Sequence, residues 1–144
     1  MSIDITAEVH VRRERDAVAA YMSDPANDRE WIGGVREAQL LGAPPLAQGS
    51  RVRRVAKFLG RRVEYVTEVQ RLEPGHEVDM KAVEGPFPMR ITYTFDDRDG
   101  GTLVRNRVRG GGIRLMAPLV RRNVQRDLER LRDRLEVAEH VQAD

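Results

Sequence analysis

The residue types that carry chemistry are sparse in this chain. It has no cysteine, so a thiolate nucleophile, a disulfide framework, a zinc ribbon and a haem thioether are all excluded. His10, His76 and His140 stand at no ligand spacing, and no metal site is expected. Ser2, Ser23 and Ser50 lie in no G-x-S-x-G elbow; Gly49-Ser50 reads instead as the turn that opens a strand. Gly110-Gly111-Gly112 stands between a strand and a helix, as a phosphate cradle would. It lacks a G-x-G-x-x-G pattern and a Walker lysine, so it reads as a hinge and no nucleotide cofactor is expected. What remains is phenolic. A tyrosine hydroxyl on an apolar wall can hydrogen-bond a substrate carbonyl and stabilise an enolate, which makes Tyr65 and Tyr93 the candidate catalytic groups if a reaction takes place. The plainer alternative is that both hydroxyls find backbone partners in a core.

Arginines cluster at Arg105, Arg107, Arg109, Arg114, Arg121, Arg122 and Arg126, a stripe that could meet phosphates. Asp127, Glu129, Asp133 and Glu136 interleave with the later ones at helical spacing, and aromatic residues for base stacking are missing. That pattern is a solvated, salt-bridged face, so no nucleic-acid partner is expected.

The elements that must position these groups follow from periodicity. From Ser2 to Arg12 apolar and polar residues alternate, the mark of a half-buried strand. Arg13 to Met22 has helical spacing, Asp24-Pro25 is a helix start, and Trp31 ends this stretch before Gly33-Gly34. Alternating segments then recur at Val35–Leu41, Ser50–Phe58, Arg61–Leu72, Glu77–Ala82, Met89–Phe95 and Thr102–Arg109. They are separated by turn residues such as Gly60, Pro74-Gly75 and Asp99-Gly100, so they predict successive antiparallel strands. Met116, Val120, Val124, Leu128, Leu131, Leu135 and Ala138 trace one apolar stripe, which predicts a long amphipathic terminal helix with a frayed tail at 139–144. The fold class is α+β. One curved antiparallel sheet of about seven strands must bury its inner face, and the terminal helix is the available partner.

Composition agrees with that plan. At 144 residues the chain matches one domain of about 100–200, spanning 1–144. Its 40% hydrophobic and 33% charged residues are enough for a core and argue against disorder. Only two of its 25 basic residues are lysines, Lys57 and Lys81, so the sequence pI near 9.4 reports arginine usage rather than excess charge. No window is apolar enough for a membrane span and the start has no signal-peptide core. A cytoplasmic address is the expectation.

The segments IDITAEVHVRRERDAVAAYMSDPANDREW, PPLAQGSRVRRV, FLGRRVEYVTEVQRLEPGHEV and ITYTFDDRDGGTLVRNRV, in that order before a long helix, resemble the START-like helix-grip superfamily known as SRPBCC. Within it they resemble the bacterial polyketide cyclase/dehydrase and lipid transport family. The resemblance runs from Ile3 to about Val137. It implies a seven-stranded sheet gripping the helix around a hydrophobic cavity, and it supplies no shared catalytic motif. If the apolar phase of each strand faces the helix, Val63, Tyr65, Val78, Met80, Met89, Ile91, Tyr93 and Phe95 line one surface, with Trp31 at one end and Met116 on the helix. Tyr65, Tyr93 and Asn106 are then the few polar groups able to orient a ligand. The loops Glu84–Pro88 and Gly110–Gly112 would form the mouth.

The expected function is binding of a small hydrophobic or amphipathic molecule, lipid or polyketide-like, without metal or cofactor, by a monomer or homodimer. The alternatives are a cofactor-independent cyclase or dehydratase and an interaction module whose cavity is vestigial.

Overall fold

The computed structural model describes residues 2–111 and 116–143 of the chain. Strand β1 (Ser2–Val11) is followed by helix α1 (Arg15–Met22). A 3-10 turn (Pro25–Asn27) then leads directly into the short helix α2 (Asp28–Trp31). Asp24 caps the turn by accepting the Ala26 N–H at 3.0 Å, with Pro25 in the first position where no amide proton is needed. Six strands follow: β2 (Val35–Leu41), β3 (Arg51–Phe58), β4 (Arg61–Glu73), β5 (Glu77–Glu84), β6 (Met89–Arg98) and β7 (Gly101–Gly111). Helix α3 (Ala117–Ala143) closes the chain.

All seven strands form one antiparallel sheet in the order β1-β7-β6-β5-β4-β3-β2. Register shifts interrupt the β2–β3 ladder between Val35 and Glu37 and the β4–β5 ladder between Val66 and Thr67 and between Val69 and Arg71. Such bulges bend a strand and increase its twist, so the sheet curves into a concave face that α3 can occupy. This is the helix-grip arrangement.

The stripe on α3 packs into that concavity. Leu128 and Leu131 are fully buried, Val124 and Leu135 nearly so, and they share one core with Val9, Val11, Phe95 and Val104 of the sheet and with Val18, Met22 and Trp31 of the short helices. Val120 packs at the edge of that core. The convex face is polar by contrast. There Arg107 pairs with Asp4, Arg105 with Glu8, and Asp79 with Arg90 and Thr92, a cross-strand charge ladder that accounts for Arg105 and Arg107 of the clustered arginines without a phosphate partner.

One loop expectation changes. Gly110 and Gly111 are strand residues at the end of β7, with Gly110 opposite Met89 on one side and Ile3 on the other. A side chain at Gly110 would collide with the Pro88 carbonyl, so this glycine serves close backbone approach rather than hinge motion. Gly112 lies outside the described residues. So do Asp144 and the side chains of 138–143, on which the expected fraying falls.

Candidate functional site

The site is built from cross-strand rows. On the concave face Val78 of β5 stands opposite Tyr93 of β6, Tyr93 opposite Asn106 of β7, and Asn106 opposite Ala7 of β1. Next to it runs Met80, Ile91, Val108 and Ile5. Alternation places these side chains on one surface because residues directly opposite in an antiparallel ladder point to the same side.

The lining is graded. Phe95, Val104, Leu128 and Leu131 seal the end nearest the β6–β7 turn, whereas Val63, Tyr65, Met89, Ile91, Val108 and Val120 are only half-buried. Burial along this face therefore falls off towards the end where β3 turns into β4 and β5 into β6.

An ion pair lies within this apolar surface. Arg54 of β3 donates from Nε to Asp28 Oδ2 at 2.7 Å and from Nη1 to Thr67 Oγ1 at 2.7 Å. Its side chain is 6% exposed and that of Asp28 2%. The fork is not fully used: among the described residues Nη2 meets only the Met80 thioether, at 4.0 Å, a weak acceptor. Tyr65 stands directly across the strand pair from Arg54. Burial pushes the Asp28 carboxyl up, with the Arg54 guanidinium pulling it back down. Burial likewise raises both phenols, Tyr65 and Tyr93, with Arg54 opposing. Each hydroxyl is thus a firmly protonated donor near neutral pH, suited to orienting a carbonyl or an anion.

Trp31 ends α2 and meets Tyr93 edge-on, ring centroids 5.8 Å apart at 63°. Arg130 of α3 holds it in place by donating to the Trp31 carbonyl at 2.9 Å, and the adjacent Gly33 N–H donates to Asp127 at 3.0 Å. Two buried polar atoms here, Trp31 Nε1 and Asn106 Oδ1, find no hydrogen-bond partner among the described residues. Such orphans are uncommon in native interiors, and both belong to residues bordering the Tyr93 ring.

Of the residues singled out from sequence, Trp31, Val78, Met80, Tyr93, Phe95 and Asn106 are buried in this region, and Val63, Tyr65, Met89 and Ile91 are half-buried on the same face. Met116 is half-buried just before α3. Sequence reasoning missed Arg54, Asp28 and Thr67. One signal was present. Arg54 shares the apolar phase of β3 with Val52, Ala56 and Phe58, and an arginine in that phase needs a buried partner. Among the described residues no cluster of three or more His, Cys, Asp or Glu could hold a metal ion, and no helix is long and apolar enough to cross a membrane.

The family model described as polyketide cyclase / dehydrase and lipid transport matches residues 2–136. No curated protein matches the sequence. Among solved structures, the chain is similar to TTHA0849 from Thermus thermophilus, at 19% identity and TM-score 0.78 over 94% of this chain and 98% of that one. A START superfamily protein from Mycobacterium smegmatis aligns at 16% identity and TM-score 0.73, covering 94% and 95% of the two chains. DynU16, a protein of the dynemicin biosynthetic locus, aligns at 18% identity and TM-score 0.73 over 94% of this chain and 48% of its own. At these identities the likeness is one of fold.

Proposed function

The chain belongs to the polyketide cyclase/dehydrase and lipid transport family, and on that premise we propose that it binds a small amphipathic molecule in the concavity between sheet and α3. One observation carries the reading: an apolar lining, half-buried towards one end, contains a buried arginine whose donors the described residues leave partly unused. An alkyl or polycyclic body would replace water along Val63, Met89, Ile91 and Val108, and each buried methylene would contribute about 0.8 kcal/mol. A carbonyl or carboxylate head would take the free N–H groups of Arg54 and the Tyr65 hydroxyl. Charge-assisted bonds of this kind are the stronger class, so a ligand with such a head should be preferred over a pure hydrocarbon.

Native mass spectrometry, together with thermal shifts across fatty acids, fatty alcohols and aromatic polyketide-like acids, tests this. Bound acids that raise the midpoint of unfolding, and lose that effect in an Ile91→Trp variant whose indole fills the half-buried end, are expected. A chain that takes up none of these compounds, or takes them up equally in the filled variant, contradicts the proposal.

A further inference from the structure

The end of the sheet that bears the β3–β4 and β5–β6 turns carries exposed apolar side chains. Leu59 is 64% exposed at the tip between β3 and β4, and Phe87 is 53% exposed in the loop between β5 and β6. The first turn is a two-residue hairpin, with Phe58 paired to Arg61, Leu59 at φ 53° and Gly60 at φ 78°. Asn, Asp or Gly normally occupies the first of these positions. A leucine there is unfavourable twice over, in backbone conformation and in hydration. The second loop lies against the first strand pair, since a side chain at Gly85 would come within 2.7 Å of the Tyr65 Cβ. Both tips therefore project from the same end of the sheet.

Cations flank the first tip: Lys57, Arg61 and Arg62 stand beside Leu59 in the sequence, and all three are exposed. Glu64, paired with Arg53 and reached by Arg62, and Glu84 are the acids nearest these tips in sequence. At the opposite end Glu14, Asp16, Asp97 and Asp99 share one shallow groove with Arg15 and Arg98, and Arg15 pairs with Asp97. We propose that the end of the sheet carrying Leu59 and Phe87 docks on an anionic lipid surface, with these two side chains inserting and Lys57, Arg61 and Arg62 meeting headgroup phosphates.

Strand geometry suits this, because one or two residues behind a tip is about 3–7 Å, close to the depth that interfacial apolar side chains reach below the headgroups. Two separate apolar protrusions fit a deformable bilayer better than a protein, which needs a continuous complementary patch. The docking rests on the proposed cavity for its purpose, since it would place the mouth against the membrane from which an amphipathic ligand partitions.

Co-sedimentation of the full chain with sucrose-loaded phosphatidylcholine vesicles, with and without phosphatidylglycerol, is the test. Binding only to the anionic vesicles, released by salt, is expected. Leu59→Asn with Phe87→Ser should weaken it about tenfold, and Arg61→Gln with Arg62→Gln by a similar factor. The asparagine suits the turn, so the tip variant should fold and keep the thermal response to soluble ligands, which separates failure of docking from failure of the cavity. A wild-type chain left in the supernatant overturns the proposal. So does vesicle binding indifferent to both tips, and so does binding to a polyglutamate peptide in preference to the anionic vesicles, which would assign the surface to an acidic polypeptide.

Discussion

Arg54 and Asp28 form a pair whose members cannot be removed singly without cost. Asp28→Ala leaves an arginine charge buried among Thr67, Met80 and Tyr65, and should destabilise the chain by about 3–5 kcal/mol in urea unfolding. Combining it with Arg54→Met should recover at least half of that loss, because the double variant buries no unpaired charge. Losses that simply add would mean that the two groups act independently. The tyrosines call for a different measurement. Tyr65→Phe with Tyr93→Phe keeps the shape of the lining and removes both donors, so affinity for an acid should fall while affinity for the matching alcohol changes less. If the protein turns over any accepted substrate, a rate within about threefold of the parent would take both hydroxyls out of the mechanism. On the convex face, hydrogen bonds from Arg90 lower the Asp79 carboxyl, burial opposes them, and Thr92 adds to the lowering. A carboxyl depressed in the folded state adds stability above its unfolded value and loses it as pH falls through the folded one. Asp79→Asn should therefore flatten the acid limb of a stability–pH profile and cost about 1 kcal/mol near neutrality. The apolar lining was legible because alternation alone assigns Tyr65, Ile91 and Tyr93 to one face. The ion pair was not, since its partners are joined only when α2 folds across β3, and no local period records that meeting.

Helix α3 shows how far periodicity reaches at the scale of an element. Its stripe identifies Val124, Leu128, Leu131 and Leu135 as buried, and all four are. Leu128→Ala and Leu131→Ala should each cost about 2–5 kcal/mol, against about 0.5 kcal/mol or less for the exposed Val137→Ala; similar values at the three positions would contradict the packing. Ending the chain before Leu115 should uncover Val9, Phe95 and Val104 and leave an aggregating product. The end of β7 misleads a reader of the sequence for a physical reason: glycine signals a hinge and a close approach with the same letter, and only the Pro88 carbonyl facing Gly110 distinguishes them. Bulges are likewise invisible in the sequence, though they supply the curvature on which the concavity depends. The clasp of Asp127 on Gly33 and Arg130 on Trp31 is hidden for the same reason as the ion pair, since charges at helical spacing fit a solvated face equally well.

Taken as a whole, the sheet order separates two strands that are neighbours in the chain. β1 and β2 lie at opposite edges, and Ser2 pairs with Gly111. From β2 to β7 every pairing joins consecutive strands, so that meander can form hairpin by hairpin, whereas β1 must wait for a partner about a hundred residues further on. Loop closure on that scale is costly before it is rewarded, which makes the docking of β1 a late event in folding. Ile5→Ala in β1 should then leave the refolding limb of a chevron nearly unchanged and destabilise through faster unfolding, while Val78→Ala in β5 should slow refolding. On a ribosome the same order means that a nascent chain exposes the β7 edge until the missing strand returns to it, so the first strand to be synthesised is the last piece of the sheet to be laid.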